Sequence, residues 1–439
     1  MFGNNRLKFS LIGALCFLLL VATAIPSGVL AEVSIDDVYR EDPTQKYSGP
    51  VSFFFVHGYI TGFYQDFEQD FHTRERNAPN PGFTGNGPLV GRPGNITLSQ
   101  SGGDGSFSHD VGLVIGAEIN SQLKLITEQH WINRNNPNSD DSGSPFKKLA
   151  TTQANIEWKP MSDRNLKIRF GRFWSSFANA QVELLSGQNN FTTVPNARYA
   201  LPYAFNDGIQ IDGAIKTGGG KQGFNYTLEY VNGNSEFDKP SGGTFDGNHG
   251  KDILARVGFK PLSYISSSGA QDVEIGLSYG DGALREGLRS FTAGDTNPLN
   301  VNADWNGYGL DLDYVTDRYT FRGYWIQSSE ELQGGPDMDR SGIMAEGKYT
   351  LLKELSVVGD MEAKLRYDQF ERDAVANTAT PNSLDNAQTY EDERISYGVE
   401  FHPQDQLRFG VEYHTSEEGG AYNQEADDDG FSAGITASF

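Results

Sequence analysis

Asp360-Met-Glu-Ala-Lys-Leu-Arg-Tyr-Asp368 places an ionisable side chain at every second position: Asp360, Glu362, Lys364, Arg366 and Asp368. Successive side chains of a strand point to opposite faces, so this spacing gathers charges of both signs on one face. Such a face makes a wetted surface with a strong local field of its own. Other motifs promise less. Gly276-Leu-Ser-Tyr-Gly280 fits the G-x-S-x-G pattern of a hydrolase, which needs a sharp strand-to-helix turn under the serine. Ile275, Leu277 and Tyr279 instead carry a period of two straight through it, leaving Ser278 in mid-strand on the polar face. Gly218-Gly-Gly-Lys-Gln-Gly223 contains G-x-G-x-x-G but joins two strand-like runs and opens no helix, which makes it a turn. Asp337-Met-Asp-Arg-Ser-Gly342 and Asp427-Asp-Asp429 read as acidic connections without calcium-loop spacing. No catalytic residue, cofactor or metal is expected.

The elements that must carry these charges are strands. Ile395, Tyr397, Val399 and Phe401 alternate with Ser396, Gly398 and Glu400; residues 402–406 turn the chain, and Leu407, Phe409, Val411 and Tyr413 resume the apolar face. Similar runs lie near 51–66, 107–118, 122–131, 151–159, 165–173, 207–216, 223–232, 251–260, 271–280, 306–316, 318–328, 341–350, 356–370, 390–402, 406–415 and 430–439. They predict sixteen strands, with connections that alternate between long and short. No repeat of fixed period argues for a propeller or solenoid.

Composition agrees. The chain is 37% hydrophobic, with 51 Gly, 20 Tyr and 28 Phe, too little aliphatic content for several soluble cores but enough for a barrel with one apolar face. Residues 1–31, with Arg6, Lys8, an apolar run from Leu11 to Ala24 and Val29-Leu30-Ala31, read as a signal peptide cleaved after Ala31. Cys16 is the single cysteine and lies inside that run, so the mature chain has neither disulfide nor thiolate metal site. Loss of two positive charges with the signal takes the formal net charge from −23 to −25, which disfavours nucleic acid as a partner. No later stretch is apolar for long enough to form a transmembrane helix. Trp158, Tyr230, Phe259, Tyr279, Tyr349, Phe370, Phe401 and Tyr413, near strand ends, are read as girdle residues on the apolar face.

Phe431-Ser-Ala-Gly-Ile-Thr-Ala-Ser-Phe439 alternates without a break and resembles the closing strand of Gram-negative outer-membrane β-barrels. The sixteen-strand layout resembles the porins. Leu166-Lys-Ile-Arg-Phe-Gly-Arg-Phe173, followed by Asn206-Asp-Gly-Ile-Gln-Ile-Asp-Gly213, is similar to the "arginine-Gly-x-Phe, loop, Asp-Gly" pattern of that family, including the phosphate-selective porin O and P members. The resemblance implies an all-β, transmembrane antiparallel barrel of about sixteen strands over residues 51–439, with long extracellular loops and short periplasmic turns. A periplasmic segment, 32–50, would precede it. The third outer loop, 174–206, is then the candidate constriction, and a homotrimer in the outer membrane, in contact with lipid and lipopolysaccharide, is expected.

Pore candidates are Lys167, Arg169, Asp212, Asp360, Glu362, Lys364 and Arg366 on the wall, with Glu183, Arg198 and Asp207 on the loop. Arg172 breaks the parity, through either a bulge at Gly171 or a place at the upper interface. Carboxylates outnumber bases on the polar parity, which speaks against a phosphate pore, since an anion needs fixed positive groups to replace its hydration shell. The reading is a porin for passive diffusion of small hydrophilic solutes and ions, general or mildly cation-preferring. Its rivals are an anion (phosphate)-selective porin, a barrel acting as an adhesin or structural protein, and, more distantly, a TonB-dependent transporter or a Ser278 hydrolase.

Overall fold

Apolar and polar residues alternate in step across neighbouring runs, so pairing them brings apolar side chains together on one face: Leu310 lies opposite Leu277, and Trp325 opposite Ile343. A computed structural model describes residues 53–73, 106–133, 149–160, 166–180, 191, 195–201, 205–216, 222–232, 251–261, 271–287, 300–332, 337–355, 358–374, 390–420 and 424–439. The expected signal peptide, the 32–50 segment and Glu183 lie outside them.

The strands are β1 (Phe53–Thr73), β2 (Ser106–Asn120), β3 (Leu123–Asn133), β4 (Leu149–Trp158), β5 (Leu166–Trp174), β6 (Phe205–Lys216), β7 (Gln222–Val231) and β8 (Asp252–Phe259). The chain continues through β9 (Gln271–Gly287), β10 (Asn300–Thr316), β11 (Tyr319–Leu332), β12 (Asp337–Leu355), β13 (Gly359–Ala374), β14 (Tyr390–Gln404), β15 (Leu407–Gly420) and β16 (Gln424–Ser438). Each pairs antiparallel with its sequence neighbours, and β1 pairs with β16, so the sheet is a closed barrel of sixteen strands. Closure satisfies the backbone groups that an open sheet would leave at its edges. At the seam Gly58 and Phe439 exchange both backbone hydrogen bonds at 2.9 Å.

Tight turns such as Asn120 to Leu123, Thr316 to Tyr319 and Gln404 to Leu407 gather at one end, called here the short-turn end. Glycine is required at one of them: Gly359 has φ +65°, and a Cβ there would lie 1.7 Å from the carbonyl oxygen of His402. Asp337–Asp339 and Asp427–Asp429, expected in connections, are instead paired strand residues of β12 and β16.

The outward face is apolar and bare. Phe54, Ile215, Leu277 and Leu365 are 58–64% exposed, and the cross-strand ring pairs Phe224–Phe259, Tyr279–Tyr308 and Tyr319–Tyr349 lie on this face. In water this surface would be strongly unfavourable, and in a bilayer it matches its solvent. Among the described residues no helix is long and apolar enough to cross a membrane. Phe370 departs from its expected place in the girdle: it stands opposite Asp392 and Gly342 on the inner face and is 1% exposed. Its spacing of two from Asp368 already puts it on the charged parity; the girdle reading followed its aromatic type and its place near a strand end.

Candidate functional site

The inner face carries the charges, and nearly all of those with described side chains are paired. Arg169 bonds Glu157 (Nε to Oε2, 3.1 Å), Asp212 (Nη1 to Oδ2, 2.9 Å) and Gln210, linking β4, β5 and β6. Arg256 holds Asp311 through Nε (3.0 Å) and Nη2 (2.5 Å) and reaches Glu274 at 2.8 Å, linking β8 to β9 and β10. Arg322 meets Asp313 at 3.2 Å, Lys348 meets Glu362 at 3.2 Å, and Lys124 meets Glu118 at 2.6 Å. The alternating signs make the wall a sequence of dipoles, whose field falls off faster than that of a one-sign ladder. Lys167, opposite Asp212 in the register, has no ion pair among the described residues.

The connection from β5 to β6 lies on this wall. Its first 3-10 turn, Phe177–Asn179, is fixed from both sides. The amide and hydroxyl of Ser176 both donate to Glu229 Oε1 of β7 (2.7 and 2.9 Å), the amide of Ala178 donates to Ser278 Oγ of β9 (2.9 Å), and the Asn179 amide group donates to Asp313 Oδ2 of β10 (2.5 Å). Phe177 and Ala178 press on the bare backbone of Gly280, Gly307 and Gly309, where an added Cβ would come within 2.9–3.6 Å of them. Farther on, Phe191 stacks under Lys364 (4.8 Å) and Arg366 (4.7 Å), cation against ring face. In the second turn, Asn196–Ala200, the Asn196 backbone donates to Asp368 (2.8 Å) and its side chain to Asp392 (2.6 Å), while Ser328 Oγ donates to the Ala200 carbonyl (2.6 Å). The described parts of the connection thus lie inside the barrel, the first turn along β7 to β10 and Phe191 with the second turn along β11 to β14. Together they form its buried core with Leu254, Trp305, Ile326, Met344 and Phe370.

At the base of this connection, Arg172 and Asp207 face each other across β5 and β6 and form a forked ion pair, Nε to Oδ1 2.9 Å and Nη2 to Oδ2 2.7 Å. Pairing runs unbroken from Ala154↔Arg172 to Trp158↔Ile168, so there is no bulge at Gly171 and Arg172 points outward. Asp207 shares that outward parity and is therefore not a lumen residue, contrary to expectation: β6 starts at Phe205, earlier than the pattern showed.

The remaining candidates separate by accessibility. Arg169 and Asp212 are 20% and 19% exposed on the inner wall. Asp360 accepts the Glu354 amide at 2.8 Å and caps the turn between β12 and β13. Lys364 and Arg366, stacked on Phe191, are 1% and 0% exposed through their side chains; they hold the connection down and do not line an open passage. Arg198 lies in the second turn. The sequence reading missed the anchors Ser176, Asn196, Glu229, Ser278, Ser328 and Gly342. A signal was present: glycines recur on the inner parity of β9 and β10, and Gly280, Gly307, Gly309 and Gly342 of β12 are the ones that make room for the connection. Gly342→Leu tests this, since a Cβ at Gly342 would lie 2.0 Å from the Ala197 carbonyl oxygen. It should lower the barrel's stability by about 1–3 kcal/mol, read from the denaturant midpoint.

No family model and no curated protein matches the chain. Solved structures do. The outer-membrane channel DcaP of Acinetobacter baumannii matches with a TM-score of 0.53 at 11% identity, over 90% of this chain and 99% of that one. Outer-membrane expressed OmpT of Vibrio cholerae matches at 0.52 and 13%, over 89% and 99%, and the anion-selective porin from Comamonas acidovorans at 0.51 and 13%, over 88% and 99%. At such identities the likeness concerns the fold: this chain is a closed, sixteen-stranded antiparallel barrel with the architecture of outer-membrane porins.

Proposed function

We propose that this chain is an outer-membrane porin, a water-filled channel for passive diffusion of small hydrophilic solutes and ions, general or mildly cation-preferring. The observation that carries the reading is a closed barrel, apolar outside, whose inner wall is charged and bears an inward-folded connection. In this reading residues 1–31 direct secretion, the short-turn end faces the periplasm, and the 174–206 connection narrows the lumen. Arg169, Asp212 and Lys167 are the wall charges nearest to permeating ions, with Glu183 and Arg198 on the connection. The assembly is a homotrimer, supported by a trimer form among the similar folds. The excess of carboxylates gives the weak cation preference.

The test is single-channel conductance and reversal potential of the mature barrel in a planar bilayer under a KCl gradient. Open channels with a small cation-selective reversal potential are expected. Anion selectivity blocked by phosphate would overturn the cation preference, and absence of conductance would overturn the channel and favour an adhesive or structural barrel.

A further inference from the structure

We propose that Glu362 of β13 with Glu400 and His402 of β14 forms a binding site for a zinc-class divalent cation at the short-turn end of the lumen. Glu362 and Glu400 are opposite one another in the register, and His402 is the next inward residue on β14, so two carboxylates and an imidazole converge on one point. One ligand atom from each lies within 4.8 Å of the others. His402 Nε2 is 2.9 Å from Glu400 Oε1 and 3.4 Å from Glu362 Oε2. Zinc bonds to nitrogen and oxygen of about 2.0–2.2 Å set ligand-to-ligand edges of about 3.0–3.4 Å in octahedral and tetrahedral sites, and both separations fall at those values.

A second observation points the same way. Glu362 Oε2, Glu400 Oε1 and His402 Nε2 are all buried atoms that make no aligned hydrogen bond and meet only as close ion pairs. The Glu400 side chain is 2% exposed, and its other oxygen, Oε2, is already held by Lys364 (3.3 Å) and Arg408 (3.7 Å). Its second oxygen, Oε1, meets His402 Nε2 at 2.9 Å, so a cation that takes the place of the proton between them would be held by both. The His402 side chain keeps 28% exposure, which puts the cluster at the lumen surface although its three ligand atoms are themselves buried. The ligand types, one imidazole and two carboxylates, suit zinc better than calcium, which takes only oxygen. The cation that competes is Lys348, whose Nζ is 3.2 Å from Glu362 Oε2 and must swing into the lumen when the metal enters.

The test is zinc content of the purified full-length mature barrel after equilibration with micromolar zinc chloride and dialysis, by elemental analysis, with affinity by titration calorimetry. This readout is independent of whether the barrel conducts. One equivalent is expected in the wild type. His402→Gln and Glu400→Gln should each weaken binding by more than about tenfold, and Lys348→Met should tighten it. Circular dichroism and heat-modifiable gel migration verify that each variant is folded; Lys348→Met, which touches no ligand atom of β14, stands in where a ligand variant fails to fold. Wild-type barrel without stoichiometric zinc, or folded His402→Gln with undiminished affinity, or Lys348→Met with weaker binding, overturns the proposal and leaves the cluster an ion pair with a protonated histidine.

Discussion

Replacing residues 177–201 with a short Gly-Ser bridge is expected to raise single-channel conductance severalfold while the barrel stays closed. Trp174 and Phe205 are opposite one another in the β5–β6 register, so a few residues suffice to span the gap, and the Arg172–Asp207 pair below it stays intact. Closure depends on strand pairing around the ring, to which the connection contributes nothing. What is removed is the material that covers the inner wall from β9 to β14, along with the anchors at Ser278, Asp313, Asp368 and Asp392. Planar-bilayer recording checks this directly. Unchanged conductance in a folded variant would place the narrowest point elsewhere.

Arg256→Met should destabilise the barrel by about 3–5 kcal/mol, because it strands a carboxylate that cannot reach water. Asp311 is 2% exposed through its side chain and receives both bonds of the Arg256 fork. Glu274 loses its 2.8 Å partner at the same time but keeps Lys260 at 3.5 Å. The double variant Arg256→Met/Asp311→Asn should recover a large part of the loss, since the desolvated charge itself is then gone. Denaturant unfolding of the detergent-solubilised barrel measures both. Equal stability of the single variant and the wild type would mean that water reaches Asp311.

The sequence made the strands legible wherever lipid and lumen differ. Short-turn ends fall within about five residues of their expected positions. Several of the opposite ends run longer than the pattern indicates: β1 reaches Thr73 instead of 66, β9 reaches Gly287 instead of 280, and β16 begins at Gln424 instead of 430. In Gln65-Asp66-Phe67-Glu68-Gln69-Asp70 polar residues occupy both parities, yet pairing with β16 continues through them. Alternation reports contact with an apolar solvent, whereas hydrogen-bonded pairing needs none, so a strand that outruns the apolar belt becomes silent in sequence. The inner-face parity of Lys167, Arg169, Asp212 and Glu362 was legible for the same reason. Which charges are covered was not, because Phe191 and Asn196 arrive from a connection whose course no periodicity encodes. The Glu362–Glu400–His402 cluster was equally hidden: its members are apart in sequence and meet only through register.

The seam between β1 and β16 also dictates an order of events. Thr61 and Thr436 share a 2.9 Å hydrogen bond across 375 residues of chain, so the contact that completes the ring has the highest loop-closure entropy in the molecule. Hairpins such as β14–β15 form from neighbours and can assemble early, but any partial sheet has two raw edges that invite pairing with another chain. Acquisition of the native state is therefore gated by the meeting of Gly58 with Phe439. Whatever shields both edges until that meeting, detergent or lipid included, protects the chain in the interval where its vulnerability to aggregation lies.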